Sequence, residues 1–398
     1  MKVLLIHDYY RSSAPSGEDT VFRNEKDLLN NNGLDIVLYE RFNDNIDDST
    51  FIDKISLAIN GAWSKQTYRE VSELIELNKP DIAHFHNTFP LVSPSAYQAC
   101  QDKGIPVVQT LHNYRLICPG ALLMKEGKPC EECVGNTLVP ALKNRCYRNS
   151  LAATSAIVWM LLYNRWQGTY QKLVNRYIAL TEFSASRMAA GGLPLNKISI
   201  KPNYLPEISC SFNENRDYAL YVGRLTQEKG VKTLIRAWEK VKKIPLKIVG
   251  DGALRAELKE EASKKGLNIE FIGYCDKAKV MELLRLAKFQ VVPSECYEGF
   301  PMVILEAFAS GTPVLASRIG SLTEIVQDKV TGLQFEAGNA DDLAENANSL
   351  IRDEKLANAL GKNARIEFES KFTERSNFKK LMVIYAEAVA DNLGREAK

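Results

Sequence analysis

The sequence predicts an α/β protein of two Rossmann-like domains, each a doubly wound parallel sheet, that face a cleft. Three observations carry this prediction. Short apolar runs alternate with helical patterns, which is typical of βαβ units and therefore of parallel sheets. The same alternation starts again after a polar stretch with two prolines at 202–217. The length of 398 residues is enough for two domains of ordinary size.

The domain boundaries follow from that polar stretch. The N-terminal domain is predicted over 1–205, the linker over 206–217 and the C-terminal domain over 218–375. A final helix at 376–398 is expected to pack back towards the N-terminal domain.

In the first half, the apolar run at 2–8 predicts the first strand. Residues 19–32 predict a helix that Gly33 closes, because glycine readily adopts the left-handed conformation that ends helices. A second helix, at 71–78, stops ahead of Pro80, since a proline disfavours helical backbone in the residue before it. Further strands are predicted at 35–40, 81–87, 105–113, 176–183 and 197–203.

The second half repeats this pattern. A helix at 232–241 separates the first two of four predicted strands, and the chain is helical from about residue 340 onwards. The four strands are 218–225, 246–252, 269–274 and 289–294.

Composition narrows the class of protein. The chain is 45% hydrophobic and 25% charged, which is normal for a globular protein. Its net charge of +2 argues neither for nor against nucleic acid, and no nucleic-acid partner is expected. The N-terminus lacks a signal-peptide pattern, and the apolar run at 151–162 is too short to span a bilayer. Eight cysteines without a secretory signal indicate a reducing compartment, so we expect a cytoplasmic protein.

The stretch 293–314 carries the strongest chemical signal. Glu298 and Gly299 follow a predicted strand, Pro301 suits the first position of a helix, and Glu306 lies about two turns along it. The N–H groups at such a helix end bind anions. An anionic diphosphate between hydroxyl-bearing rings, as in a nucleotide-sugar, fits this pattern. The alternative is a buried strand, a turn and an amphipathic helix of an ordinary α/β domain.

A second cluster of charge follows the strand at 218–225. Gly223 and Arg224 close that strand, and Lys229 precedes the next helix, so two cations project from one connection. Arginine and lysine there suit a diphosphate. The alternative is a surface turn with solvated charges.

Two histidines alternate on the strand at 81–87. His84 and His86 therefore point to one face of the predicted sheet. They could form a metal-binding pair, or they could be polar strand-end residues that pack near the cleft.

Taken in order, these motifs resemble a known family. GRLTQEKG, IVGDG, FIGY, ECYEGFPMVILEAFASGTPV, GSLTEIV and TGLQF are similar to the C-terminal domain of family 4 retaining glycosyltransferases, which have the GT-B fold. Two glutamates separated by seven residues, as Glu298 and Glu306 are, are that family's hallmark. In the first half, SGEDTVFRNE resembles the family's glycine-rich acceptor-side loop, and TLHNYR its strand-end histidine.

The resemblance implies roles for the C-terminal residues. Arg224 and Lys229 would hold the diphosphate and neutralise the leaving group, and Glu306 would accept hydrogen bonds from ribose hydroxyls. Glu298 would position the donor sugar. The nucleotide-sugar-binding set is completed by Gly223, Gly299, Phe300 and Pro301.

The resemblance also implies roles in the first half. His112 would lie beside the reacting sugar and act in catalysis with Glu298, Arg224 and Lys229. Gly17 would let the first loop approach the donor closely, and Ser16, Gly17 and Glu18 would face the acceptor. The family normally has two glycines where this chain has Ser16-Gly17, which could reshape that loop.

The activity implied is retaining transfer of a sugar from a UDP- or GDP-sugar to a saccharide or lipid-linked saccharide, as in polysaccharide biosynthesis. No catalytic metal is expected, because no Asp-x-Asp clamp occurs in a suitable loop; Asp47-Asp48 lies in an irregular polar stretch. Two alternatives stay open: a GT-B sugar-nucleotide epimerase, and a catalytically silent nucleotide-sugar-binding subunit.

Four cysteines occur within a loop-like insert near 118–146. Cys118, Cys130, Cys133 and Cys146 have the spacing C-x₁₁-C-x₂-C-x₁₂-C, and the central pair has that of a zinc knuckle. Structural zinc is one interpretation, since a loop-rich insert gains stability from a metal. Free thiols or a disulfide are the others.

The segment 140–201 combines basic and aromatic side chains. It holds nine lysines and arginines against one acidic residue, with Trp159, Tyr163, Trp166 and Tyr170 among them. This combination suits the headgroup layer of an anionic membrane, which would place the protein on the inner face of the membrane as a peripheral protein. The alternative is a solvated helix face above an ordinary aromatic core.

Overall fold

The computed structural model describes residues 1–13, 16–46, 50–206 and 216–396. The chain forms two compact units. Unit 1 comprises Met1–Leu123, Glu131–Asn203 and Asn377–Lys398, and unit 2 comprises Met124–Cys130 and Tyr204–Ser376. Most of the predicted linker, 207–215, lies outside the described residues, as do Asp47 and Asp48.

Unit 1 contains a six-stranded parallel sheet with the order β2-β1-β3-β4-β7-β8. The chain adds β2 on one side of β1 and the later strands on the other. The order therefore reverses between β1 and β3, and open α/β sheets bind ligands beyond the carboxyl ends of strands at such a point. The strands are β1 (Lys2–Tyr9), β2 (Asp35–Phe42), β3 (Ile82–Phe85), β4 (Val107–Leu111), β7 (Arg176–Ala179) and β8 (Ile198–Ile200).

Helices cover both faces of this sheet, and part of its core comes from the far end of the chain. Val3 and Leu5 of β1 pack in one cluster with Leu381 and Tyr385 of the last helix. The helices of unit 1 are α1 (Gly17–Asn31), α2 (Phe51–Ala62), α3 (Lys65–Asn78), α4 (Ser95–Asp102), α5 (Val139–Lys143), α6 (Leu151–Gln167), α7 (Thr169–Lys172), α8 (Glu182–Ala190) and all but the first turn of α16 (Glu374–Glu396).

Unit 2 contains a second six-stranded parallel sheet, with the order β11-β10-β9-β12-β13-β14. It reverses between β9 and β12. The strands are β9 (Tyr218–Val222), β10 (Leu246–Val249), β11 (Ile269–Gly273), β12 (Ala287–Val292), β13 (Val314–Ser317) and β14 (Gly332–Phe335). A short antiparallel hairpin, β5 (Met124–Lys125) with β6 (Lys128–Pro129), belongs to the 124–130 segment of this unit.

The helices of unit 2 alternate with its strands and then complete the domain. They are α9 (Val231–Trp238), α10 (Arg255–Lys264), α11 (Lys277–Leu286), α12 (Met302–Ala309), α13 (Leu322–Ile325), α14 (Ala340–Arg352) and α15 (Glu354–Lys371). A 3₁₀ turn at Gln227–Lys229 precedes α9. No helix in the described ranges combines the length and apolar character needed to cross a bilayer.

Two doubly wound parallel sheets are thus confirmed, while several predicted ends are wrong. The strand predicted at 176–183 stops at Ala179, because Thr181 caps the helix that begins at Glu182. The prediction that Pro301 begins its helix is also wrong. Pro301 has an extended ψ of 117° and lies one residue before the first helical residue, Met302.

One glycine allows the connection after β9 to pack against the connection after β12. Gly230 has a φ of +67°, and a Cβ built on it would lie 1.7 Å from the carbonyl oxygen of Pro293. The neighbouring backbone is also joined by a hydrogen bond of 2.9 Å from the Glu295 N–H to the Glu228 carbonyl. The close approach keeps the charged residues of both connections side by side.

Replacing Gly230 with alanine should therefore destabilise unit 2 by more than the strain of an alanine at positive φ. Gly266→Ala is the matched control, because Gly266 has a φ of +59° and open space around it. We expect Gly266→Ala to cost about 1–2 kcal/mol. We expect Gly230→Ala to cost about 1–3 kcal/mol more, because backbone must shift. Urea unfolding measures both, and equal losses would contradict the close approach.

Candidate functional site

In unit 2, the charged residues predicted from the sequence lie where the strand order reverses. Gly223 and Arg224 follow β9, and Glu298 follows its neighbour β12. Lys229 ends the 3₁₀ turn between β9 and α9. Parallel strands bring their carboxyl ends to one edge of a sheet, so residues 69 positions apart in sequence meet there.

Lys229 and Glu298 form an ion pair. The distance from Lys229 Nζ to Glu298 Oε1 is 2.6 Å, and the Ser294 hydroxyl donates to the same oxygen at 2.6 Å. Burial alone would lower the pKa of Lys229 and raise that of Glu298. The negative charge of Glu298 outweighs the effect of burial on Lys229, and the positive charge of Lys229 outweighs it on Glu298. The net result is a raised pKa for Lys229 and a lowered pKa for Glu298, so both groups are charged at neutral pH.

Arg224 lies apart from this pair. Its side chain is 62% exposed, and its guanidinium lies 3.3 Å from Glu228 Oε1. The backbone beneath it is fixed, since the Tyr221 hydroxyl donates to the Arg224 carbonyl at 2.7 Å. The backbone of Arg224 is therefore fixed, while its guanidinium is exposed to solvent.

Two glycines of the IVGDG motif shape the same loop. A Cβ on Gly250 would lie 2.0 Å from the Gly223 carbonyl oxygen, and one on Gly252 would lie 2.6 Å from that of Leu225. Both glycines have positive φ. The turn after β10 can approach the Gly223–Leu225 backbone because these two residues lack side chains.

The start of α12 is open to an anion. Pro301 makes no side-chain hydrogen bond to the first turn, so the N–H groups of Met302 and Val303 have no cap. Phe300 is buried and packs against Phe372, with ring centroids 5.8 Å apart. That packing anchors the loop that leads into the helix.

Glu306, on α12, is in a different electrostatic state from Glu298. Burial raises its pKa, and the charge of Lys277 only partly opposes this. Its carboxylate has no hydrogen-bond partner among the residues that the structure describes. A half-buried carboxylate without a donor is suited to accept hydrogen bonds from hydroxyl groups.

In unit 1, the predicted acceptor-side residues open α1. Ser16 is its N-cap: the Ser16 hydroxyl accepts from the Glu18 N–H at 3.3 Å, and Asp19 completes a capping box. This cap gives Ser16 a structural role at the start of α1. A Cβ on Gly17 would meet nothing within 4 Å, so the space beside it is open.

Glu18 connects α1 to the end of β4. Its carboxylate accepts from Asn113 Nδ2 at 2.9 Å and from the Tyr10 hydroxyl at 3.2 Å. Burial raises the pKa of Glu18 despite these two donors. The Glu18 carboxylate is therefore bonded to the side chain of the residue that directly follows His112, the predicted strand-end histidine.

His112 is the outer end of a buried polar chain, which we call the histidine chain: His112, His86, Glu25 and Lys201. His86 Nδ1 lies 2.9 Å from His112 Nε2, and His86 Nε2 lies 3.0 Å from Glu25 Oε1. Lys201 Nζ lies 2.8 Å from Glu25 Oε2, and both side chains are at most 2% exposed. His84 lies 3.0 Å from Glu25 as well.

Glu25, His84 and His86 present ligand-type atoms within 4.8 Å of one another. Their arrangement does not favour a metal ion, however. His84 Nδ1 is already 2.8 Å from the Tyr385 hydroxyl, and the Lys201 ammonium occupies the other side of Glu25. A buried ammonium would repel a divalent cation, so Lys201 supplies the positive charge of this cluster.

Sequence reasoning missed Glu25 and misplaced Lys201. Lys201 lies at the end of the basic segment 140–201, which the sequence suggests for a membrane surface. In the structure its side chain is only 2% exposed and is paired with Glu25. A signal for Glu25 was present. Val21, Phe22, Leu28 and Leu29 form the buried stripe of α1, and Glu25 lies on that stripe at helical spacing.

In the part of the chain that the structure describes, none of the four cysteines of the insert is joined in a disulfide. Cys118, Cys133 and Cys146 belong to unit 1, and Cys130 belongs to the 124–130 segment of unit 2. Within the described part of the chain, no three of these sulfurs come within 4.8 Å of one another as metal ligands would. Structural zinc at these cysteines stays a prediction.

Comparison with known proteins identifies relatives of the second half. Residues 209–367 match the family model "Glycosyl transferases group 1". An uncharacterized glycosyltransferase of Methanocaldococcus jannaschii is 38% identical over 164 residues, which are 41% of this chain and 46% of that protein. O-antigen chain mannosyltransferase C of Escherichia coli is 34% identical over 160 residues, 39% of this chain and 43% of that protein. The chain spans less than half the length of these relatives.

Solved structures resemble the chain over its whole length. Sucrose-phosphate synthase from Thermosynechococcus elongatus has a TM-score of 0.73 at 18% identity, and covers 98% of this chain and 99% of its own. Anabaena Alr3699/HepE, solved in complex with UDP, has a TM-score of 0.69 at 16% identity, covering 97% and 100%. At these identities the likeness concerns the fold, which is GT-B.

The opposite pKa shifts of Glu298 and Glu306 predict opposite effects of neutralising them. Glu298→Gln should lower the free energy of unfolding at pH 7 by about 1–3 kcal/mol, because Lys229 loses its counter-charge. Glu306→Gln should raise it, because the protein no longer buries an unpaired charge. Urea unfolding of each variant at pH 7 measures both effects.

The pH dependence is the control. A lowered pKa stabilises above the ordinary value of 4.5, so the Glu298 contribution is lost as pH falls below 4.5 through its folded value. For Glu306 the cost appears as pH rises above 4.5. A loss of stability in Glu306→Gln at pH 7 would contradict this account.

Proposed function

We propose that the protein is a retaining glycosyltransferase, because residues 209–367 match the family model "Glycosyl transferases group 1" and the chain has the GT-B fold. It moves a sugar from a nucleotide-diphosphate-sugar, a UDP- or GDP-sugar, to a saccharide or lipid-linked saccharide. The observation that carries the proposal is the Lys229–Glu298 pair beside the uncapped start of α12. Fixed positive charge and free N–H groups there match a diphosphate.

The contacts suggest a division of roles in unit 2. Lys229 has three ammonium donors and uses one on Glu298, so it can address phosphate oxygens while Glu298 holds it in place. Glu298 receives Lys229 and Ser294 on Oε1, which leaves Oε2 for a sugar hydroxyl. Glu306, with no hydrogen-bond donor among the described residues, is suited to ribose hydroxyls.

These roles account for the chemistry. In glycosyl transfer the sugar gains oxocarbenium character while negative charge grows on the departing diphosphate. Lys229, held by Glu298, and the helix N-terminus are positioned before the reaction, so they stabilise that charge without reorganising, while the exposed Arg224 guanidinium can move to join them. With charge stabilisation assigned to these groups, the proposed reaction needs no metal ion.

The donor site can be tested with one lysine and its neighbour. We expect UDP or GDP and their sugars to raise the melting temperature, since a ligand that binds only the folded state stabilises it. Lys229→Met should weaken nucleotide binding by about tenfold or more, because a charged hydrogen bond is lost. Lys232→Met is the matched control: Lys232 is 47% exposed and pairs with Glu257. Isothermal titration measures the affinities.

The same variants separate a transferase from a silent binder. Wild type should hydrolyse its nucleotide-sugar slowly without acceptor, and Glu298→Ala and Lys229→Ala should lose that hydrolysis. Unchanged rates in both variants would overturn the site. Conversion of the donor to its epimer, with no sugar released, would replace transfer by epimerisation.

We also propose that unit 1 docks on an anionic membrane through α6, near the lipid-linked acceptor. Leu151, Trp159, Leu162 and Trp166 recur at helical spacing and are 49–79% exposed, while the opposite face of α6 is buried. Lys143, Arg145 and Arg148 are exposed just before this helix. Exposed tryptophans beside cations suit the interfacial layer of a membrane.

This surface predicts salt-sensitive binding to anionic vesicles and none to neutral ones. Replacing both Trp159 and Trp166 with serine should weaken binding by about tenfold or more, because two large apolar side chains no longer insert. Leu77→Ser is the control, since Leu77 is 82% exposed on α3. Vesicle co-sedimentation at low and high salt measures binding; equal binding by wild type and the tryptophan variant removes the proposed surface.

A further inference from the structure

All four histidines of the chain lie in unit 1, and three of them contact Glu25 or its partners. His86 is central: its ring centroid is 4.5 Å from that of His84, 5.1 Å from that of His112 and 6.2 Å from that of His7. The histidine chain leads from a buried ammonium to a partly exposed imidazole. Its hydrogen bonds can be assigned donor by donor.

The assignment starts at Glu25. Lys201 lies 2.8 Å from Oε2, in a site where both side chains are at most 2% exposed. Burial alone would raise the pKa of Glu25, but Lys201, His84 and His86 hold that pKa well below its ordinary value. Glu25 is therefore a carboxylate, which accepts hydrogen bonds and cannot donate one.

The remaining protons follow from that acceptor. His86 Nε2 must carry hydrogen in order to donate to Glu25 Oε1 at 3.0 Å. A neutral imidazole has one N–H, so His86 Nδ1 is a bare acceptor. His112 Nε2, 2.9 Å away, must then donate to it, which leaves His112 Nδ1 without a proton.

Neither ring gains a second proton at neutral pH. Burial lowers the pKa of His86 to about 3, although Glu25 opposes this. Burial, together with His86 and His7, places the pKa of His112 well below its ordinary value. A proton on His86 Nδ1 would also place a second N–H opposite the N–H of His112 Nε2.

We propose that Glu25 and His86 are positioning residues that hold His112 as its Nε2–H tautomer, so that Nδ1 accepts a hydrogen bond from a hydroxyl of the bound sugar. This inference rests on the proposed function for its ligand, but not for the tautomer. His112 then serves as a neutral acceptor and not as an acid.

Replacing Glu25 with glutamine should reverse the chain of donors. Lys201 demands an acceptor, so the amide oxygen turns to Lys201 and the amide N–H groups face His86. His86 Nε2 then accepts, its Nδ1 carries the proton, and His112 Nε2 accepts from it. His112 Nδ1 becomes a donor, and the hydroxyl loses its acceptor.

The test is long-range ¹H–¹⁵N spectroscopy of the full-length protein with ¹⁵N-labelled histidine. Four histidines give four ring patterns, and single substitutions assign them. Wild-type His112 should show a protonated Nε2 and a bare Nδ1, and Glu25→Gln should exchange the two. His84→Gln is the matched control, because His84 touches Glu25 but lies outside the path to His112; the His112 pattern should not change.

The kinetic arm asks whether the tautomer matters. Glu25→Gln should lower kcat for the nucleotide-sugar by about tenfold or more, the usual effect of losing one hydrogen bond to a reacting ligand. Its affinity for the free nucleoside diphosphate should stay within about twofold, because the contacts proposed for the diphosphate do not involve His112. His86→Asn, which keeps a polar atom near His112 and breaks the link to Glu25, serves if Glu25→Gln does not fold.

The outcomes are distinct. A wild-type His112 protonated on Nδ1, or on both nitrogens, overturns the proposal without any variant. An exchanged tautomer with unchanged kcat overturns the positioning role of Glu25 and His86. If wild type binds no nucleotide-sugar at all, the proposed function fails, while the spectrum still decides the tautomer.

Discussion

Strand order is the constraint on which the candidate functional residues of each unit depend. Each parallel sheet reverses beside its first strand, between β1 and β3 in unit 1 and between β9 and β12 in unit 2. Connections that leave adjacent strands at such a point diverge to opposite faces, which opens a crevice at the carboxyl edge. Lys229 and Glu298 meet at one reversal, and His86 follows a strand at the other.

Charge is handled differently at three buried or half-buried carboxylates. Glu25 and Glu298 each lie against a lysine, which offsets the cost of removing the carboxylate from water. Glu306 has no such partner among the described residues and retains the cost, as its raised pKa indicates. Stability alone favours the first arrangement. An unpaired carboxylate is retained most readily where a ligand supplies the missing donors, which supports a binding role for Glu306.

The features that could be predicted from the sequence are those that depend on residues close together in the chain. The parallel sheets followed from alternating apolar and helical runs, and the cluster around Glu298 from a strand, a glycine and a helix start within a few residues. Helix and strand ends were harder to predict, because capping decides them. The Thr181 cap begins α8 within the residues 176–183 that the sequence predicts as one strand. The histidine chain was out of reach, since it joins residues 25, 86, 112 and 201.

The sequence by itself therefore determined the fold class and the residue types of the candidate site in unit 2, because periodicity and short motifs are local properties of the chain. The tertiary structure alone decided which charges are paired. It joined Lys229 to Glu298, left Arg224 exposed and Glu306 without a donor in the described chain, and buried Lys201 against Glu25. The reason is physical: burial and the distance to an opposite charge set a side chain's protonation state, and both arise only when distant segments pack together.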